Sequence, residues 1–226
     1  MAPDYGKTLA QWRAGAAGPW RDFTHHAFVK GLGDGSLPRA AFLHYLIQDY
    51  VFLVHFSRAW SLAVVKSETL EEMKTCAGTV DALVNHEMSL HVKTCAAEGI
   101  DEQALFEAHE AVENLAYTRY VMDAGVQGDF LDLMAALAPC VMGYGEIGLR
   151  LADCKTSDTP YGEWIATYAD PEYQAVCAEV GAMIDTAVAR RIGDLAHAPR
   201  AGVLQDRFCM ATKLEVGFWQ MGLNVT

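Results

Sequence analysis

The chain reads as all-α, a single-domain helical bundle, on three observations. Apolar residues recur at three- and four-residue steps along most of its length. No window alternates apolar and polar residues between hairpin turns. The breaks between periodic stretches carry helix-start and helix-stop residues. A chain of 226 residues, 52% hydrophobic and 20% charged, can bury a sizeable core.

Taken in order, the first strong break is Gly31 to Pro38 (GLGDGSLP). It is followed by a long helix on which Phe42, Tyr45, Leu46, Asp49, Phe52, Leu53, Phe56 and Trp60 share the apolar face. Leu83, His86, Glu87, Leu90 and His91 repeat the period before a break near Gly99. After a break over residues 125–129, Asp129 is placed to cap a helix bearing Leu131, Met134, Leu137, Val141 and Tyr144. Pro139 lies inside that helix and should bend it. Breaks at 156–160 and 169–171 each place a capping residue before a proline, Thr159-Pro160 and Asp170-Pro171. A last break around 196–200 precedes a final helix carrying Glu215, Phe218 and Trp219. This gives eight or nine helices, no repeat, and no linker that would divide residues 1–226 into domains.

The charge balance excludes several functions. Lys and Arg number 17 against 29 Asp and Glu, for a net charge of -12. Nucleic acid and anionic membrane are poor partners for such a surface. The N-terminus lacks the basic and apolar blocks of a secretory signal. The longest uncharged apolar run, residues 133–145, falls short of the roughly 18 residues that span a bilayer. Six cysteines without a CxxC pair suit a cytoplasmic chain of reduced thiols.

Three places set a polar or reactive group inside an apolar helical face. Asp49 sits among Tyr45, Phe52 and Phe56, where it either ties to an arginine or helix end or accepts from a ligand's amine. Cys140 lies one turn before Tyr144 and is either inert filler or a nucleophile. Glu215 lies one turn before Phe218 and Trp219. It either pairs with Lys213 at the surface or is desolvated, raised in pKa and suited to general acid work. In His86-Glu87-Met-Ser-Leu-His91 the histidines are five apart, on different faces, which defeats a zinc reading. Glu87 and His91, four apart, are expected to bond to each other. Gly31, Gly33 and Gly35 follow no strand, so they are no nucleotide loop.

These strings in this order resemble the TenA/thiaminase II family, in the branch with an active-site cysteine. The features that carry the resemblance are GDGxLP followed by F..Y..QD, the HEM..LH stretch, GDF…LAPC…Y.E.G, WI.TY, and the final E..FW. It implies a heme-oxygenase-like fold, a homotetramer, and hydrolysis of thiamin-type pyrimidines without metal or organic cofactor. The implied substrate is 4-amino-5-aminomethyl-2-methylpyrimidine, converted to the 5-hydroxymethyl pyrimidine, with thiamin as a further possibility. By the same resemblance Cys140 matches the nucleophile, Glu215 the general acid and Asp49 the carboxylate on the substrate's amino group. Tyr144, Tyr117 and Tyr168 match pocket tyrosines, Tyr168 near Glu215, and Phe52 and Phe218 match ring-contacting aromatics. Phe52 stands where some members carry tyrosine, so one polar contact is missing. Two other readings stay open: a cofactorless oxidase like the pyrroloquinoline quinone synthases, and a pyrimidine-binding regulatory protein without turnover. Two carboxylates near a thiol would oppose its ionisation, which leaves the deprotonation of Cys140 unassigned.

Overall fold

The computed structural model describes residues 3–154 and 159–224, with every side chain among them except that of Leu90. The expected break at 156–160 therefore lies largely outside the described residues. Twelve α-helices are present, with no strand among the described residues. They are α1 (Lys7–Gly15), α2 (Ala17–Thr24), α3 (Ala27–Asp34), α4 (Arg39–Lys66), α5 (Leu70–Ala82) and α6 (Met88–Ala96). The chain continues through α7 (Glu102–Phe106), α8 (Val112–Gln127), α9 (Phe130–Asp153), α10 (Gly162–Ala169), α11 (Pro171–Ile192) and α12 (Ala201–Leu223). A π-helical turn, Leu83–Glu87, joins α5 to α6, and a 3-10 turn, Leu195–His197, precedes α12. The excess over eight or nine comes from short α1, α2, α3 and α7, which are too brief to show a sustained apolar period.

Local chemistry explains most boundaries. Asp129 caps α9 through Leu131 and Asp132, and the Asp132 side chain returns a bond to the Asp129 backbone. Asp170 caps α11 ahead of Pro171 as expected. Thr159-Pro160 does not start a helix; α10 begins two residues later. The Thr159 hydroxyl instead donates to the Leu32 carbonyl at 2.7 Å and ties this turn to α3. The break expected at 31–38 shrinks to its second half. Helix α3 runs through Gly31 and Gly33 and ends where Gly35 takes a left-handed φ of 77°.

Helix α9 is the centre of the bundle. It is long and apolar enough to cross a membrane, yet its apolar window is almost wholly buried inside the protein. It passes through Pro139 as one continuous helix and packs against α12, α10, α8, α11, α2 and α4. Gly148 makes one of these approaches possible, because a Cβ there would lie 2.5 Å from the Tyr168 carbonyl carbon of α10. Of the six cysteines, Cys76, Cys95 and Cys177 are buried, Cys140 and Cys209 half-buried, and Cys154 exposed; all are free thiols.

Two further buried carboxylates, Glu72 and Asp132, are paired with arginines. Glu72 on α5 is 4% exposed and accepts from Arg190 and from Arg191 of α11, the latter at 2.6 Å. Burial alone would raise its pKa, but the two guanidiniums and a backbone donor hold it down at about 2. Asp132 is bound likewise by Arg200 and, at 2.5 Å, by Arg207. Removing the carboxylate from a buried pair strands the partner charge, so Glu72→Gln should cost on the order of 3 kcal/mol by thermal or urea unfolding. With the folded pKa depressed, this stabilisation is complete above the unfolded pKa near 4.5 and fades as pH falls toward 2. The deficit of the variant should shrink over that window.

Candidate active site

Three helices and the π-turn bring three carboxylates and one thiol together. Helix α4 places Asp49 one turn beyond Tyr45, and the Tyr45 hydroxyl donates to Asp49 Oδ2 at 2.9 Å. Helix α12 supplies Glu215, whose Oε1 accepts from the Tyr117 hydroxyl of α8 at 2.9 Å. The π-turn ends at Glu87, whose Oε1 accepts from the Tyr168 hydroxyl of α10 at 2.7 Å. Each carboxyl thus has one oxygen anchored by a tyrosine. A π-turn widens the helix and rotates the residues after it, which is how Glu87 and His91 both come to serve this site. Helix α9 presents Cys140 beside them.

His91 is fully buried and bridges the set. Its Nδ1 lies 3.0 Å from the Glu87 backbone carbonyl, which can only accept, so Nδ1 carries hydrogen. Its Nε2 lies 2.6 Å from Asp49 Oδ2. Burial by itself would lower the His91 pKa; the bond and charge of Asp49, with Glu87, raise it instead. The contacts from Tyr45 and His91 thus both fall on Oδ2, and among the described residues no hydrogen bond reaches Oδ1.

Burial dominates the titration of the other groups. Glu215, 1% exposed, is pushed up to about 8 by desolvation, with the charge of Asp49 adding and the Tyr117 and Cys140 bonds opposing. Desolvation and Asp49 raise Glu87 to about 7, against the bond from Tyr168 and the charge of His91. The Cys140 thiol is pushed well above its usual value by burial, then by the charges of Glu215, Glu87 and Asp49. The sequence anticipated this opposition for two carboxylates; the fold supplies three.

Aromatic rings wall the cluster. Phe52 meets Phe218 edge-on at 5.4 Å and lies 5.0 Å from Tyr117. Tyr144 lies 5.0 Å from Tyr168 and 5.2 Å from Trp219. Cys140 and Glu87 also line a cavity of about 480 Å³, bounded further by Phe56, Leu83, Val141 and Tyr173. The thiol thus stands between a buried polar core and an open chamber. Among the described residues, no three His, Cys, Asp or Glu side chains are gathered to hold a metal ion.

The eight residues singled out from the sequence, Asp49, Phe52, Tyr117, Cys140, Tyr144, Tyr168, Glu215 and Phe218, fall in this one region. One open alternative falls away and two expectations need correction. Glu215 is not a surface partner of Lys213, because α12 turns it into the core. The tyrosine on Glu215 is Tyr117; Tyr168 reaches Glu87, since α10 seats against α9 on that side. Glu87 and His91 do not pair through their side chains. His91 bonds to the Glu87 backbone and to Asp49, and Glu87 is freed to face the cavity. Sequence reasoning missed Tyr45, Glu87 and His91 as site residues. The signal present was the helical i, i+4 spacing of Tyr45 with Asp49 and of Glu87 with His91.

A carboxyl whose folded pKa is raised binds a proton the unfolded chain has lost. Its cost is absent below the unfolded pKa near 4.5 and is complete once pH passes the folded value near 8. Glu215→Gln should therefore melt higher than the parent at pH 9, with the gain vanishing toward pH 4.5. A variant destabilised equally at both pH values would contradict the assignment.

The TENA/THI-4/PQQC family model matches residues 14–225. A Halalkalibacterium halodurans protein named aminopyrimidine aminohydrolase is 34% identical over 222 residues, spanning 97% of this chain and 93% of that one. The Bacillus subtilis protein of the same name is 28% identical over 218 residues, spanning 95% and 89%. A solved structure from Silicibacter sp. TM1040, described as a TenA family transcription regulator, is 59% identical. It superposes with a TM-score of 0.95 over 98% of both chains. A Shewanella denitrificans domain described as having a heme oxygenase-like fold shares 12% identity at a TM-score of 0.70, covering 94% of this chain and 90% of that one. That likeness concerns the fold alone.

Proposed function

We infer the activity from one premise: this chain belongs to the TENA/THI-4/PQQC family. It is a hydrolase of thiamin-type pyrimidines, converting 4-amino-5-aminomethyl-2-methylpyrimidine to the 5-hydroxymethyl pyrimidine for thiamin salvage. The observation that carries this reading is a sealed carboxyl, Glu215, fixed by Tyr117 at 2.9 Å beside the half-buried Cys140 thiol and an aromatic wall, with burial pushing its pKa up to about 8.

The chemistry follows from the donors available. Asp49 has Oδ2 fixed by Tyr45 and His91, which leaves Oδ1 to accept from the substrate's exocyclic amine and set the ring's orientation. Phe52, Tyr144 and Phe218 flank the ring. Glu215 donates its proton to a ring nitrogen and makes the ring electrophilic. Once ionised, Glu215 is the base beside the Cys140 thiol, and it takes the thiol proton as sulfur adds to the ring. The raised thiol pKa is then no obstacle, because the thiolate forms only against a cationic ring. Loss of the amine and addition of water complete the exchange. Thiamin, whose leaving group is a thiazole at the same carbon, is the second substrate. The cavity beyond Cys140 has room for it.

The quinone-oxidase reading fares worse on charge, since a polyanionic quinone would meet three carboxylates rather than a basic pocket. A pyrimidine-binding regulator would use the same pocket without turnover, so product formation against mere ligand-induced stabilisation separates it from the hydrolase. The working unit is a homotetramer in the cytoplasm. Apolar side chains left on the surface, among them Val65, Phe106, Val112 and Val126, support the assembly, and six free thiols support the location.

Purified protein should release hydroxymethyl pyrimidine from the aminomethyl substrate. Cys140→Ser should cut turnover by about 10³-fold while ligand-induced thermal stabilisation persists. Glu215→Gln should lose about 10²- to 10⁴-fold in kcat. Absence of product from folded parent protein would refute the reading.

A further inference from the structure

Glu87 has no part in those steps, yet its placement is that of a reacting group. Its Oε1 is fixed by the Tyr168 hydroxyl at 2.7 Å, and Tyr168 is itself seated by the α9–α10 approach at Gly148. Its charge acts on Cys140, as does that of Glu215, but the two carboxyls differ in access. Glu215 is sealed in the core at 1% exposure, while Glu87 lines the cavity together with Cys140. A ring held against Asp49 and Glu215 and attacked by Cys140 must direct its departing substituent, and admit water, on the cavity side.

We propose that Glu87 is the second acid–base group of this reaction, giving a proton to the nitrogen that leaves and taking one from the water that replaces it. The assignment rests on the pyrimidine hydrolase reading above. After sulfur has bonded to the ring, the exocyclic carbon–nitrogen bond breaks with its electron pair going to nitrogen. The Glu87 proton completes ammonia, and an exocyclic methylene remains on the ring. Water oxygen then bonds to the methylene carbon and its proton returns to Glu87. The methylene electrons flow back into the ring, the carbon–sulfur bond breaks, and the ring-nitrogen proton returns through Glu215 to the thiol. The sum is aminomethyl pyrimidine and water to hydroxymethyl pyrimidine and ammonia, with no oxidant. A group poised near pH 7, as Glu87 is at about 7, can serve both directions.

A cationic thiazolium needs no proton to leave, since it takes the bond's electron pair and becomes neutral. This separates the two substrates. Glu87→Gln should lower kcat on the aminomethyl pyrimidine by about 10²-fold or more. Its loss in the thiazole-releasing burst on thiamin should be at least about tenfold smaller, because that step lacks the proton transfer. Tyr168→Phe keeps the carboxyl but frees it, and should show the same bias at smaller size. It is the deciding variant if Glu87→Gln does not fold. Glu87→Gln within about threefold of the parent on the amine, or equal losses on both substrates from either variant, would overturn the proposal, since general acid catalysis is worth far more. A parent inactive on both substrates would instead bring down the hydrolase reading and this assignment with it. An active parent with an indifferent Glu87→Gln removes only the role of Glu87.

Discussion

Three carboxyls and a thiol share one desolvated space, and the site's chemistry follows from how few negative charges that space can hold. A lone buried carboxylate is costly, and each further one raises the pKa of the rest. His91 is the one basic side chain hydrogen-bonded into the cluster among the described residues, and it is committed to Asp49. The remaining carboxyls respond by keeping their protons, Glu215 to about 8 and Glu87 to about 7. Acids made in this way are strong enough to protonate a pyrimidine and weak enough to recover the proton. The same crowding that suppresses the thiolate thus stocks the site with protons, and a cationic ring relieves the suppression at the moment of attack.

The fold maintains this arrangement by geometry more than by counter-charge. Tyrosines 45, 117 and 168, from three different helices, each fix one oxygen of one carboxyl. A tyrosine donor satisfies a carboxyl in either protonation state, which an arginine would not do without forcing ionisation. The aromatic wall of Phe52, Tyr144, Phe218 and Trp219 keeps water from screening the charges. Arginines are held elsewhere, on Glu72 and on the capping box of α9, where they lock α11 and α12 to the bundle.

Much of this was legible in the sequence, and the reasons for the rest are physical. The all-α class followed from periodicity, and the α9 start from Asp129. Asp49, Cys140 and Glu215 stood out because each interrupts an apolar face, a signal that belongs to one helix at a time. Glu87 and His91 were visible as a pair but were given the wrong bond. Their i, i+4 spacing brings both side chains to this site, but Tyr168 and Asp49, from distant segments, take the side-chain bonds. Thr159 was taken for a cap because its bond to Leu32 crosses between distant segments. The partners of Tyr117 and Tyr168 depend on where α8 and α10 pack, which no local pattern encodes.

The sharing of protons is directly measurable. Neutron diffraction on perdeuterated crystals near pH 6 locates deuterium on each group. Deuterium on both nitrogens of His91, on Glu215 and on Glu87 is the pattern this account requires. Bare carboxylates at Glu215 and Glu87, or a singly protonated His91, would show that the cluster holds its charge by some other means and would remove the acid on which the mechanism depends.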